Sequence, residues 1–367
     1  MTKHRGNEQG SVSIEYVAVG IALTLILSVL AVSGVGASIS QNFAYVFCKA
    51  AAVVDGRACA APESVNADGL TPQEQAEAGD YVALGDSYSS GEGADDYVDN
   101  TNSDDATKQA INDLPFDLWP GDPHNNICRR SANAYSEVVY NNGDFKGDFI
   151  FGACSGGVMS DYYNDNHSGN ENEGPQRDHI TDETSLVTIS MGGNDFGFGE
   201  VVAGCVIKGS TMVAGSCGAD ETDSVKAKID EQAELLVQFY KDLDSDTPGK
   251  ARILIVGYPQ LFPDDPIGLP LAITNGDQKW INGMGAYANQ KIQEAIIKSG
   301  TRVEFVDVSN ALKGHEVGTD DPWIHDLTAG IDGGNWVKPV SNNSFHPTAA
   351  GQNAIGAIVQ QKIKDGS

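Results

Sequence analysis

Basic residues are scarce. Only 23 Lys and Arg stand against 51 Asp and Glu, a formal net charge of −28 over 367 residues. A surface this acidic repels nucleic acid and anionic lipid headgroups, which excludes both as partners held by charge. It suits a soluble domain outside a cell. The six cysteines, Cys48, Cys59, Cys128, Cys154, Cys205 and Cys217, include no CxxC pair and have no histidine at zinc-ligand spacing, which argues against a metal site. Their even number points to disulfides and an oxidising compartment. Sequence leaves the connectivity open. Pairing in chain order closes the shortest loops, and so predicts Cys48 with Cys59, Cys128 with Cys154, and Cys205 with Cys217. No internal repeat or heptad array occurs. The Asp-, Asn- and Gly-rich stretches 92–126 and 161–183 lack the D-x-D-x-D-G calcium register and read as solvated loops.

Long apolar runs are almost absent as well, with one exception. After Lys3, His4 and Arg5, an apolar run from Tyr16 to about Ile39 is long enough to cross the roughly 30 Å hydrocarbon core as a helix. Positive charge on its leading side predicts an inside N-terminus, with the remainder outside the cell membrane. A cleaved signal peptide ending near Gly34, Gly36 and Ala37, giving a secreted protein, is the competing reading. The string GSVSIEY, Gly10 to Tyr16, puts the carboxylate of Glu15 at the start of the run, which is costly and asks for a reason. This segment resembles the leader of type IV pilins of the Flp/TadE kind. The resemblance implies a cut between Gly10 and Ser11 and contact with pilus or secretion machinery. A plain signal anchor with Glu15 in the headgroup region remains the alternative.

The remaining organisation follows from patterning. Residues 1–10 read as a leader, 11–40 as a transmembrane segment, 41–79 as an extracytoplasmic stalk and 80–367 as one α/β domain. Short, near-continuously apolar runs predict buried parallel strands at Tyr81–Leu84, Phe149–Ala153, Leu186–Ser190, Arg252–Val256 and Val303–Val306. Between them, Ile229, Ala233, Leu236 and Tyr240 recur at helical spacing, as do Ile281, Met284, Ala288, Ile292 and Ala295. Pro347 fits the first turn of a final helix, with Ala350, Ala354, Ile358 and Val359 as its apolar face. A three-layer domain with a central parallel sheet results.

Ligands of open parallel sheets bind beyond the carboxyl ends of the strands. There the strand YVAL runs into GDSYSSG and exposes Ser87. The next edge carries ACSGG with Gly156, a third carries GGND with Asn194, and His346 in SFHPTAAG precedes the last helix. Acyl transfer needs a nucleophile, a base and donors for the oxyanion. Ser87 and His346 supply the first two, and the Ser87 N–H, Gly156 N–H and Asn194 amide supply the third; no cofactor is required. Asp86 and Asp195 read as holding loop backbone. His124, His167 and His179 read as solvated loop histidines. Trp323 and His325 either line an acyl pocket or are structural.

These four blocks, around Ser87, Gly156, Asn194 and His346, resemble those of the SGNH (GDSL-type) hydrolase superfamily, over about residues 80–367. The strings GFGEVVAGC, VGYPQLFP and GHEVG resemble its secreted lipase and esterase branch. The resemblance implies an α/β/α flavodoxin-like fold and serine-dependent hydrolysis of carboxylic esters, lipids or acylated polymers, through an acyl-enzyme. Most members carry aspartate three residues before the histidine, where this chain has Asn343. That departure implies a Ser-His dyad, with the main-chain carbonyl of Asn343 orienting the imidazole. Two rivals remain: an acyltransferase to a sugar or cell-wall polymer on the same fold, and an inactive pilus-associated structural protein. The intact set of four residues argues against the second.

Overall fold

The computed structural model of the protein describes residues 69–102, 126–199, 201–202, 204–205, 217–266, 273–326, 330–332, 336–338 and 343–366. The expected leader, the apolar run Tyr16 to Ile39, the Cys48–Cys59 pair and His124 lie outside the described residues. Among the described residues, no helix is long and apolar enough to cross a membrane. The elements below belong to the unit Gln73–Ser367.

Five strands form one sheet: β1 (Asp80–Gly85), β2 (Phe149–Phe151), β3 (Thr184–Ser190), β4 (Arg252–Val256) and β5 (Glu304–Val306). All pair in parallel, in the order β2-β1-β3-β4-β5. This is the doubly wound, flavodoxin-like order, whose switch point lies at β1, between β2 and β3. All seven residues of β3 are buried, as expected of a central strand covered on both faces. β2 stops two residues before its expected end, because the chain turns at Gly152 toward the Cys128–Cys154 disulfide. A small antiparallel pair, β6 (Gly330–Asp332) with β7 (Trp336–Lys338), carries no signal in the sequence reading.

Alternation along the strands sorts their side chains into two layers. Tyr81, Ala83, Leu186, Leu254 and Val256 pack with Tyr135 and Val139 of α2 (Tyr135–Asn142) and with Ile355, Val359 and Ile363 of α5 (Ala349–Asp365). Val82, Leu84, Val187, Ile189, Ile253 and Ile255 face α3 (Cys217–Asp246) and α4 (Asn275–Ser299). Both stripes expected on α3 and α4 are buried there. Each fully buried Leu, Ile or Val contributes about 1.5–3 kcal/mol, so these two layers carry the fold.

The last helix keeps part of its expected face, with Val359 buried and Ile358 packed partly buried against the core, and departs from it elsewhere. Ala350 is exposed, and the inward positions are Gly351, Gln352, Ile355, Gly356, Val359 and Ile363. Pro347 lies before the helix, and Thr348 is its cap, accepting the Gly351 N–H at 3.4 Å. The inward turn is set by a polar contact that an apolar count misses. Gln352 is buried, and its Oε1 accepts the Tyr135 N–H at 2.8 Å, an amide left without an intrahelical partner at the start of α2.

Candidate active site

Ser87 is placed by backbone geometry at the end of β1. Gly85 there has φ +123°, a region that side chains disfavour, and a Cβ on it would meet Ser190 O at 2.3 Å. The next residue, Asp86, is extended and caps the four-residue helix α1 (Ser87–Ser90), its Oδ1 accepting the Tyr88 N–H at 3.0 Å. α1 ends at Gly91 in the left-handed region. This strand, tight turn and helix hold Ser87 at the sheet edge, with 8% of its surface exposed.

His346 arrives from the other end of the chain. Its Nε2 lies 2.8 Å from Ser87 Oγ, across a sequence separation of 259 residues. Two features fix the ring. Tyr88, next to Ser87, packs its ring 5.2 Å from the imidazole and donates its hydroxyl to Phe345 O at 2.7 Å. The second is a main-chain acceptor 3.1 Å from Nδ1, and it corrects the sequence expectation: the carbonyl is that of Ser344. The carbonyl of Asn343 accepts the backbone N–H of His346 at 3.1 Å instead, closing the turn that presents Ser344 O to the ring. Phe345, at φ +61°, gives that turn its shape.

Gly156 and Asn194 meet Ser87 and His346 around one cavity of about 380 Å³. Gly156 has φ +78° and follows Ser155, whose N–H donates to Cys128 O at 2.9 Å. The Cys128–Cys154 disulfide, paired as the sequence order suggests, sits immediately before this loop. Asn194 donates its side-chain amide to Gly157 O at 2.8 Å, which ties the loop after β3 to the loop after β2. Cys205 is also disulfide-bonded; the side chain of its expected partner Cys217 lies outside the described residues, as does the pair Cys48 and Cys59. The cavity wall is largely apolar, with Phe196, Phe198, Val202, Leu261, Ile281 and Phe345.

Several residues take places that sequence reading leaves open or misses. Trp323 does not line the cavity; it stacks on His315 with ring centroids 3.6 Å apart. His325 is a brace, its Nε2 donating to Gly93 O at 2.7 Å while its backbone bonds to Phe345 and His346. His167 is exposed, as expected of a solvated loop histidine, and its ring also pairs with buried Asp161 at 2.8 Å, because the Asp161 carboxylate gathers the loop around it. His179 is partly buried, and desolvation lowers its pKa. Asp195 holds the Met159 N–H at 3.2 Å and has its pKa raised by burial. Burial likewise pushes Asp86 up to about 7, against the lowering hydrogen bonds from Tyr258 and Tyr88. Glu92, buried behind Ser87, accepts from Arg129 at 2.7 Å and from Ser155 Oγ at 2.6 Å. Among the supports of the site, Tyr88, Tyr258 and Ser344 lie inside the strings GDSYSSG, VGYPQLFP and SFHPTAAG, which mark the region but not their roles, and Glu92 lies outside every such string.

A hydroxyl in contact with an imidazole, beside amide donors and a largely apolar cavity, is able to attack a carbonyl and hold the resulting oxyanion. Comparison with known proteins agrees with that chemistry. The chain is 29% identical to Lipase 1 of Streptomyces coelicolor over 76% of its own length and 84% of that protein. It is 28% identical to a lipase of Streptomyces rimosus, covering 75% of this chain and 83% of that one. Among solved structures, phospholipase A1 from Streptomyces albidoflavus NA297 aligns over 78% of this chain and 99% of its own, at 29% identity and a TM-score of 0.56. An extracellular lipase from Streptomyces rimosus aligns over 77% and 99%, at 27% identity and a TM-score of 0.56. The model of the GDSL-like lipase/acylhydrolase family matches residues 83–354, about three quarters of the sequence, and the chain therefore belongs to that family of serine-dependent carboxylic ester hydrolases.

Proposed function

We propose that Ser87 is the nucleophile and His346 its general base, acting on esters whose acyl part enters the apolar cavity. The observation that carries this reading is the 2.8 Å contact between Ser87 Oγ and His346 Nε2 in the cavity wall. His346 takes the hydroxyl proton as Oγ attacks the ester carbonyl, and the tetrahedral oxyanion is held by the Ser87 N–H, the Gly156 N–H and the Asn194 amide. The imidazolium returns the proton to the leaving alcohol, giving the acyl-enzyme. Water, deprotonated by His346, then releases the acid and restores Ser87. Ser344 O, facing Nδ1, keeps Nε2 as the acceptor toward the serine.

The substrates are esters of lipids or acylated polymers, which accords with relatives called lipase and phospholipase A1. A graded panel of esters, offered to the purified protein beside Ser87→Ala, tests this. Turnover lost in Ser87→Ala supports the assignment, and equal turnover in both refutes it. Transfer to added sugar alcohols in preference to water would make the enzyme a transferase.

The same proposal covers export. Residues 1–10 form the leader, 11–40 the membrane segment, 41–79 the stalk and 80–367 the hydrolase domain, held outside the cell and served by pilus-type or general secretion machinery. The support is the GSVSIEY string, the apolar run after it, and the extracytoplasmic disulfide chemistry of the domain. N-terminal sequencing of native protein tests it. A start at Ser11 is expected; a start beyond Ala37 would replace the anchored form by a secreted one.

A further inference from the structure

The Tyr258 hydroxyl takes no part in the chemistry proposed above, yet it stands between two segments that do. Tyr258 follows the end of β4 in the string VGYPQ and lines the cavity. Its backbone is clamped to α4: the N–H donates to Asn289 Oδ1 at 3.0 Å, and the carbonyl accepts from Asn289 Nδ2 at 2.8 Å. Thus fixed, the side chain reaches sideways across the strand ends. The hydroxyl donates to Asp86 Oδ2 at 2.6 Å and accepts the Gly193 N–H at 2.9 Å. Asp86 directly precedes Ser87, and Gly193 directly precedes Asn194.

The contact is built tightly. A Cβ on Gly193 would lie 2.9 Å from the Tyr258 hydroxyl oxygen, so a side chain there would push the hydroxyl away from the amide. The ring of Tyr258 meets the edge of Tyr88 at 5.3 Å, and Tyr88 in turn packs on His346. Asp86 is 1% exposed, so its carboxylate depends on protein donors, and Tyr258 supplies a side-chain hydroxyl beside the backbone N–H groups of α1.

We propose that Tyr258 is a positioning residue, whose hydroxyl sets the distance between the Ser87 turn and the Asn194 amide through Asp86 and Gly193. The proposal rests on the assignment of Ser87 as nucleophile and Asn194 as oxyanion donor. Donors to an oxyanion act only when held at the site the charge will occupy, and losing one outright costs about 10²–10³ in turnover. A donor left in place but loosened should cost less, about 10- to 100-fold, and should do so in the transition state rather than in ground-state binding.

Tyr258→Phe removes the bridge and keeps the ring against Tyr88. Compared with wild type, it is expected to lower kcat by about 10- to 100-fold with KM within about twofold, and to slow fluorophosphonate labelling of Ser87 in proportion. Circular dichroism and thermal unfolding accompany the kinetics, and Tyr258→Leu, which also removes the ring, separates packing from bridging: it should lose additional stability and raise KM. Wild-type kcat in folded Tyr258→Phe overturns the proposal, as does a loss that appears in KM alone. Failure of Ser87 to be labelled in the wild-type protein would instead overturn the nucleophile assignment, so the two failures are told apart by one control.

Discussion

The main-chain carbonyl of Ser344 faces His346 Nδ1 at 3.1 Å, the position in which a hydrolase triad places a carboxylate. A carbonyl orients the ring but brings no full charge to the imidazolium. The carbonyl of Asn343 closes the turn, and the proposed dyad gives its side chain no part in orienting His346. Asn343→Ala is expected to keep turnover within about tenfold of wild type, whereas loss of a triad carboxylate costs roughly 10⁴. Steady-state kinetics on one ester decides between these.

Asn194 lies beside Ser87 at the cavity, and its amide rests on Gly157 O. Asn194→Ala should lower kcat by about a hundredfold and leave KM nearly unchanged, as removal of an oxyanion donor does. A change confined to KM would assign Asn194 to substrate binding.

The Cys128–Cys154 bridge spans 26 residues and stands next to Ser155 and Gly156. Restricting a loop of this size in the unfolded chain stabilises by about 3 kcal/mol. The double variant Cys128→Ser/Cys154→Ser should lose about that much in urea unfolding, and lose turnover as well, because the Ser155 N–H bonds to Cys128 O. Non-reducing mass spectrometry checks the pairing directly; free thiols at both positions in exported protein would contradict it.

Asp86 gives a pH signature with a definite sign. Burial raises its pKa to about 7 in the folded protein, from 3.8. Between those values the folded state holds a proton that the unfolded state has lost, so this group makes stability fall as pH rises. The neutral amide introduced by Asp86→Asn has no such dependence. Relative to wild type, Asp86→Asn should therefore gain stability between about pH 4 and pH 7, by up to about 4 kcal/mol, and hold a constant difference outside that window. Urea unfolding of both proteins across the range measures it. A difference that stays constant throughout would place the Asp86 pKa near its ordinary value.

Much of this arrangement is legible in the chain, for identifiable reasons. Strand ends followed by Gly-rich blocks mark Ser87, Gly156 and Asn194, because parallel sheets bring consecutive strand ends to one edge. The core faces of α3 and α4 follow from 3.6-residue periodicity. What sequence conceals is the set of polar contacts between distant segments. Gln352 turns α5 off its apolar register to satisfy an amide at Tyr135, and Tyr258 reaches Asp86 from 172 residues away. The orienting carbonyl lies one residue from its expected place because a turn with Phe345 at positive φ is invisible to patterning. Trp323 and His325 are open to an acyl-pocket reading in the sequence, but ring stacking on His315 and a bond to Gly93 take them out of the cavity wall.

Covalent labelling of the folded protein with a fluorophosphonate, followed by peptide mapping, reads out the nucleophile and its base together. The probe forms a tetrahedral adduct only with a serine whose proton has a base to accept it. Labelling at Ser87, abolished in Ser87→Ala and strongly slowed in His346→Ala, is the expected result. Labelling at a different serine, or undiminished labelling without His346, would contradict the assignment of Ser87 and His346 as nucleophile and base.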